Sequence, residues 1–213
     1  MSCNLPQTHC TNIPCFKVLE LLDCTCSNRC KYFNTRPFVV GKSDCKIPID
    51  VRVETGTAVG PDRIVNSVAG YNLFGGNLII VDFGTATTFD VVDHDGAYIG
   101  GVIAPGVNLS LQALHQMAAA LPHVDIAKPE EVIGKNTISC MQSGVFWGYI
   151  GLVKEICRKI KEEKKEEMKI VATGGLASLL QSTELLFDNV EENLTMHGLR
   201  LIFDYNIKSI DSL

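Results

Sequence analysis

The chain has 213 residues, 46% of them hydrophobic and 20% charged, with a net charge of −5. That length can bury a real core, as one domain or two small lobes, and the composition is that of an ordinary globular chain. The acidic balance argues against nucleic acid as a partner. No apolar run approaches the roughly 20 residues that span a bilayer, and the N-terminus lacks the basic start and apolar core of a secretory leader, so a cytoplasmic protein without membrane contact is expected.

The first 36 residues mix Pro, Asn, Thr and Cys around one weak helical segment near Phe16 to Leu22. Seven of the nine cysteines fall in the first 45 residues (Cys3, Cys10, Cys15, Cys24, Cys26, Cys30 and Cys45). A disulfide framework would need an oxidising compartment, and the C-x-C-x3-C spacing of Cys24, Cys26 and Cys30, with no histidine nearby, suits a zinc knuckle poorly. Reduced, structurally incidental thiols are expected.

From Pro37 the pattern sharpens. Phe38-Val39-Val40 reads as a short strand and Ile47 to Val53 as an extended stretch. Gly60-Pro61-Asp62-Arg63 opens a helix to about Tyr71, with proline in its first turn. The apolar run Leu78-Ile79-Ile80-Val81 is a buried strand, and Asp82 to Asp90 (Asp-Phe-Gly-Thr-Ala-Thr-Thr-Phe-Asp) is a hairpin into a second strand beginning at Thr88. Asp93-His94-Asp95-Gly96 is a turn signal, and Tyr98 to Gly106 a third strand closing on glycines. In this meander Gly84 allows close approach of a phosphate, the threonine hydroxyls can donate to its oxygens, and the carboxylates of Asp82 and Asp90 are read as able to hold a cation. A plain threonine-rich hairpin is the competing reading.

Beyond Gly106 the chain turns helical. Leu109 to Leu121 carries an apolar stripe. Asn136 or Thr137 caps a long helix whose buried face is expected at Ile138, Met141, Val145, Tyr149, Leu152, Ile156 and Ile160. Gly144, Gly148 and Gly151 form another face open to close helix approach, and Lys161 to Glu167 is its solvated end. Lys169 to Ala177 is a strand running into Gly174-Gly175 and a helix start, the place where an open α/β sheet receives a flat ligand group. Asn193 caps a final helix through Phe203.

Five of these blocks, in order, resemble the type III pantothenate kinases: Gly60 to Asn66, Asp82 to Asp90, Gly100 to Gly106, Asn136-Thr137 with Met141 to Gly144, and Ala172 to Gly175. The resemblance runs from about Tyr32 to Asn206. It implies an α/β fold of ribonuclease H-like lobes, as in the acetate and sugar kinase, chaperone ATPase and actin superfamily. The second lobe (77–213) would be complete. The first (1–76) would be partial and carry the cysteine-rich N-terminus. The implied reaction is ATP-dependent phosphorylation of pantothenate to 4'-phosphopantothenate, the first step of coenzyme A biosynthesis. Asp62 would be the general base. Gly60, Pro61, Asp62, Arg63 and Thr137 would bind pantothenate, Thr85, Gly174 and Gly175 would bind ATP, and Asp82 would ligate a monovalent cation (K+ or NH4+). ATP, Mg2+ and that cation are the implied cofactors, and a homodimer the implied assembly.

The chain departs from the family pattern in one respect. Members open on a strand with an Asp-x-Gly-Asn-Thr type phosphate loop that holds the β- and γ-phosphates and magnesium, and no such segment is read here. Asp50 to Thr57 belongs instead to the stretch before the general base, where Val53 stands for a frequent aromatic. Loss of one preorganised donor commonly costs about 3 kcal/mol, so impaired activity is expected, and a non-catalytic remnant keeping the dimer and part of the pocket is the alternative. Another superfamily member, such as a sugar kinase or a kinase-fold regulator, fits the Asp62-Arg63 and Asn136-Thr137 blocks less well.

Overall fold

The computed structural model describes residues 38–118, 121–181 and 187–211. The helix expected near Phe16 and the N-terminal cysteines before Cys45 lie outside the described residues. Ten elements follow in chain order: α1 (Pro61–Phe74), β1 (Leu78–Phe83), β2 (Ala86–Val92), β3 (Tyr98–Pro105), α2 (Val107–Met117), α3 (Thr137–Lys164), β4 (Lys169–Gly174), α4 (Ala177–Gln181), β5 (Asn189–Val190) and α5 (Leu194–Asp211).

The strands form one sheet in the order β3-β2-β1-β4-β5. β1 pairs antiparallel with β2, and β2 with β3, while β4 lies parallel to β1 and β5 parallel to β4. This mixed sheet, with a meander on one side and a helical crossover to the parallel strands on the other, is the ribonuclease H-like lobe that the resemblance implies. The run Leu78 to Val81 is buried throughout because β1 is the central strand, covered on both faces.

Strand alternation divides the core. Ile79, Val81, Phe89, Val91 and Ala172 pack with Phe146, Ile150, Val153 and Cys157 of α3 and with Leu180 of α4. Leu78, Ile80, Val92 and Val171 face the other way, against Ala69 of α1 and Leu194 of α5. Gly70 fits this second face closely: a Cβ there would lie 2.6 Å from Ile80 Cδ1. The result is a sheet between two helical layers.

Two expectations are corrected. Phe38-Val39-Val40 is not a strand. Lys42 N donates to Val39 O in a turn, Val40 is buried with Val65, Val68, Leu199 and Ile202 of α1 and α5, and the Phe38 ring meets Phe203 edge-on at 6.1 Å. These apolar residues plug a helix pair rather than join a sheet. The buried face of α3 is also rotated from the expected one. Ile138 is exposed, Leu152, Ile156 and Ile160 are only partly buried, and Phe146, Ile150, Val153 and Cys157 meet the sheet instead. Met141, Val145 and Tyr149 bury themselves against Val107 and Leu111 of α2, so α3 serves two cores at once.

Helix ends follow their chemistry. Pro61 starts α1 after Gly60, and Gly75 closes it at φ 82°. Asn136 caps α3 by accepting from Ser139 N at 2.9 Å, and Ser139 Oγ accepts from Asn136 N in return, which resolves the cap to Asn136. Lys165 in the left-handed region ends α3, and Arg158 forms ion pairs with Glu155 and Glu162 on its solvated side.

Candidate functional site

The candidate site lies at the carboxyl ends of β1 and β4, where the N-terminus of α1 meets the β1–β2 hairpin. Register builds it. Asp82 stands opposite Thr88 on β2 and Thr173 on β4, and Ile80 on the same strand face stands opposite Asp90, so Asp82, Thr88, Thr173 and Asp90 share the face that α1 covers. Thr173 is buried, and Thr88 and Asp82 are half-buried.

Asp82 is held by Asn66 of α1, whose Nδ2 donates to Oδ2 at 2.9 Å. Asn66 is itself buried and oriented by Thr195 of α5, whose Oγ1 donates to Asn66 Oδ1 at 2.7 Å. Burial pushes the Asp82 carboxyl above its usual range. The Asn66 donor opposes this and the nearby Asp62 charge adds to it. Gly174, at φ +90°, lets β4 end against this carboxylate: a Cβ there would lie 2.7 Å from both Asp82 Oδ1 and Phe83 N. Among the described residues no ion pair involves Asp82. A desolvated carboxylate with one oxygen facing a glycine and hydroxyls alongside fits a weakly hydrated cation, which would supply the missing countercharge.

Both oxygens of Asp90 are engaged by protein groups: its Oδ1 accepts from Arg63 Nε at 2.6 Å and its Oδ2 from Thr88 Oγ1 at 3.2 Å. Burial raises its carboxyl to about 6, against the pull of Arg63 and Thr88. The Arg63 guanidinium lies over the Tyr98 ring, 5.6 Å from the centroid, and its Nη2 is buried without a protein acceptor. Tyr98 is buried too, and desolvation, reinforced by the Asp90 charge, lifts its hydroxyl to about 12. The chain before α1 leans on this group. Arg52 N donates to Tyr98 O at 2.8 Å and Tyr98 N to Asp50 O at 2.9 Å.

Asp62, in the first turn of α1, is exposed, and its Oδ1 accepts from Arg63 N at 2.9 Å. Gly60 and Pro61 lead into that turn, and a Cβ on Gly60 would stand 2.6 Å from Asp62 Oδ1. Thr85 is exposed on the tight turn closed by Gly84 N donating to Ala86 O at 3.1 Å, and Gly106 packs directly on this turn. Gly174 and Gly175 lie at the end of β4 beside it. Thr137 is exposed at the first position of α3, and no hydrogen bond among the described residues links it to the α1 group. Sequence reasoning missed Asn66 as the partner of Asp82, Thr195 as the group that orients Asn66, and Tyr98 as the platform for Arg63.

Asp93, His94 and Asp95 also come together, but Arg52 answers them, with Nη1 3.0 Å from Asp93 Oδ2 and Nη2 2.7 Å from Asp95 Oδ2. This clamp ties the Asp50–Arg52 stretch to the β2–β3 turn. No helix of the described residues is long and apolar enough to cross a membrane.

A sequence model of the type III pantothenate kinases matches residues 10–159, which begins earlier than the Tyr32 from which the resemblance is read. The chain is 71% identical over 176 residues to the type III pantothenate kinase of Roseobacter denitrificans, covering 83% of this chain and 68% of that protein. It is 68% identical over 176 residues to the type III pantothenate kinase of Ruegeria pomeroyi, with the same coverage of 83% and 68%. Among solved structures, that of a Baf family transcriptional activator from Campylobacter jejuni superposes with a TM-score of 0.59 at 21% identity, over 88% of this chain and 81% of the other. That likeness speaks for the fold.

Proposed function

The chain belongs to the type III pantothenate kinase family, and on that premise we propose how its residues carry out ATP-dependent phosphorylation of pantothenate, the first step of coenzyme A biosynthesis. The observation that carries the reading is the meeting of Asp62, Arg63 and Asp82 at one end of the sheet. Asp62 is near enough for its charge to push both Asp82 and Asp90 upward.

Phosphoryl transfer asks a protein mainly for positioning and charge stabilisation. Asp62, exposed at the mouth of the site, accepts the proton of the pantothenate hydroxyl as its oxygen attacks the γ-phosphorus of ATP, and ADP leaves. Gly60, Pro61, Arg63 and Thr137 bind pantothenate, with the unpartnered Nη2 of Arg63 supplying a donor to its carboxylate. Thr85 contacts an ATP phosphate, and the glycines Gly174 and Gly175 admit the adenosine against backbone. Asp82, held by Asn66, is the ligand for a potassium or ammonium ion. When bound, Mg2+ carried with ATP and a monovalent ion at Asp82 would supply positive charge to the phosphates.

The same reading makes residues 77–213 the second lobe, with the β1–β5 sheet as its centre, and 1–76 part of the first. It makes the protein cytoplasmic and a homodimer. Supporting the dimer, Leu109, Leu114 and Met117 of α2 are exposed apolar residues, and Gly144, Gly148 and Gly151 of α3 have open space where a Cβ would stand.

The test is a kinase assay with pantothenate, ATP, magnesium and potassium, run on the wild type and Asp62→Asn. Turnover that falls about a hundredfold or more in Asp62→Asn supports the assignment. Turnover that survives that change removes Asp62 from the chemistry, while pantothenate binding with no wild-type turnover points to the non-catalytic remnant.

A further inference from the structure

No charged side chain among the described residues is more buried than Asp90, at 0% exposure, and its two oxygens are divided in an unusual way. An arginine and a carboxylate that meet in a dry site ordinarily pair fork to fork, with two parallel N–H···O bonds. Here Asp90 takes only Nε of Arg63, at 2.6 Å, and gives its other oxygen to Thr88 Oγ1 at 3.2 Å. The guanidinium is turned so that Nη2 has no acceptor, although it is buried. A buried charged N–H left unpaired costs more than the hydrogen bond it forgoes, so the arrangement is expensive unless something else completes it.

The residues around the guanidinium preserve this orientation. Tyr98 lies beneath the guanidinium, 5.6 Å away at its centroid. Gly101 of β3 leaves the room that Nη2 occupies, since a Cβ at this position would stand 2.6 Å from that nitrogen. Ser67 Oγ donates to Arg63 O at 2.8 Å, fixing the backbone from which the side chain departs. Asp90, Thr88, Tyr98 and Gly101 thus act together on one side chain.

We propose that Asp90 is a positioning residue for the acceptor substrate: by holding Arg63 through Nε while Thr88 occupies its second oxygen, it reserves Nη2 for the carboxylate of pantothenate. This rests on the reading that pantothenate binds beside Arg63. Asp90 touches no substrate in this role and acts entirely through Arg63.

The experiment measures binding of pantothenate and, separately, of ATP to the full chain by titration calorimetry. Asp90→Asn keeps the size and an acceptor but removes the charge, and Thr88→Val frees the second oxygen to swing onto Nη2. Pantothenate dissociation constants are expected to rise about tenfold in Asp90→Asn and several-fold in Thr88→Val, with ATP affinity changed less than about twofold and Thr88→Ser behaving as wild type. If pantothenate and ATP weaken together, or pantothenate affinity is unchanged in both variants, the positioning role is overturned. Should Asp90→Asn not fold, the Thr88→Val and Thr88→Ser pair decides by the same criteria. A wild-type chain that binds ATP but not pantothenate would overturn the acceptor reading itself and this inference with it.

Discussion

Asn66 donates from Nδ2 to Oδ2 of Asp82 at 2.9 Å, joining the middle of α1 to the end of the central strand. The amide is oriented by Thr195 of α5, 129 residues further along the chain, so a C-terminal helix decides which way the Asn66 amide faces. Replacing Asn66 by leucine leaves a half-buried carboxylate without its donor and strands the Thr195 hydroxyl. Stability should fall by about 1–3 kcal/mol, read as a shift of the urea midpoint at constant slope. Thr195→Val, which leaves the Asn66 donor in place, should cost less.

Gly174 ends β4 at φ +90°, with Asp82 Oδ1 and Phe83 N each 2.7 Å from where a Cβ would be. Two penalties coincide in Gly174→Ala, a left-handed backbone and a collision with main chain, and the Phe83 backbone is central to the sheet and cannot retreat. The variant should lose roughly 1–3 kcal/mol of stability by thermal unfolding. Gly175→Ala, open around its Cα, should stay near wild type in stability.

What the chain made legible follows from how locally each feature is encoded. The strands β1, β2 and β3 are readable because the run Leu78 to Val81, the Gly84 turn and the Asp93 to Gly96 turn lie within 30 residues of one another, each with its own signal. The start of α1 is readable from Pro61 after Gly60. The motif residues Asp62, Arg63 and Asp82 can be named from sequence, but their partners cannot. Arg63 and Asp90 are 27 residues apart, and Asn66 and Thr195 are 129 apart, so only register and helix packing bring them together. Composition misled where packing outranked propensity: Val39 and Val40 favour a strand, yet Val40 serves better as a plug between α1 and α5. The stripe on α3 was misread because that helix is apolar on two sides, toward the sheet and toward α2, and a single-face template averages them.

The apolar side of α2 and α3 gives a direct test of assembly. Met117 is 87% exposed, Leu109 and Leu114 are exposed beside it, and Gly148 stands in open space on the neighbouring helix. If two copies pack there, Gly148→Arg places a charge at a close helix approach. Sedimentation should then show a monomer where the wild type shows a dimer, with secondary structure unchanged by circular dichroism. A variant that sediments as the wild type does would move the interface elsewhere.

The buried pair of Asp90 and Arg63 also predicts how stability depends on pH. Burial raises Asp90 from 3.8 to about 6 in the folded chain, so between those values the native state holds a proton that the unfolded state has released. Stability from this group is therefore greatest below about 4 and declines as pH rises to about 6, beyond which it levels off. Asp82 is raised by burial as well and tilts the curve the same way, whereas Asp95, held well below the usual carboxylate range by Arg52, acts only in stronger acid. Asp90→Asn cannot titrate. Relative to wild type it should gain ground as pH climbs from about 4 to 6, by up to roughly 3 kcal/mol, because only the wild type keeps in its folded state a proton that its unfolded state has released. Urea unfolding of both proteins at intervals across that range measures the difference. A gap that stays flat would mean that Asp90 is already ionised throughout, with Arg63 fully offsetting its burial.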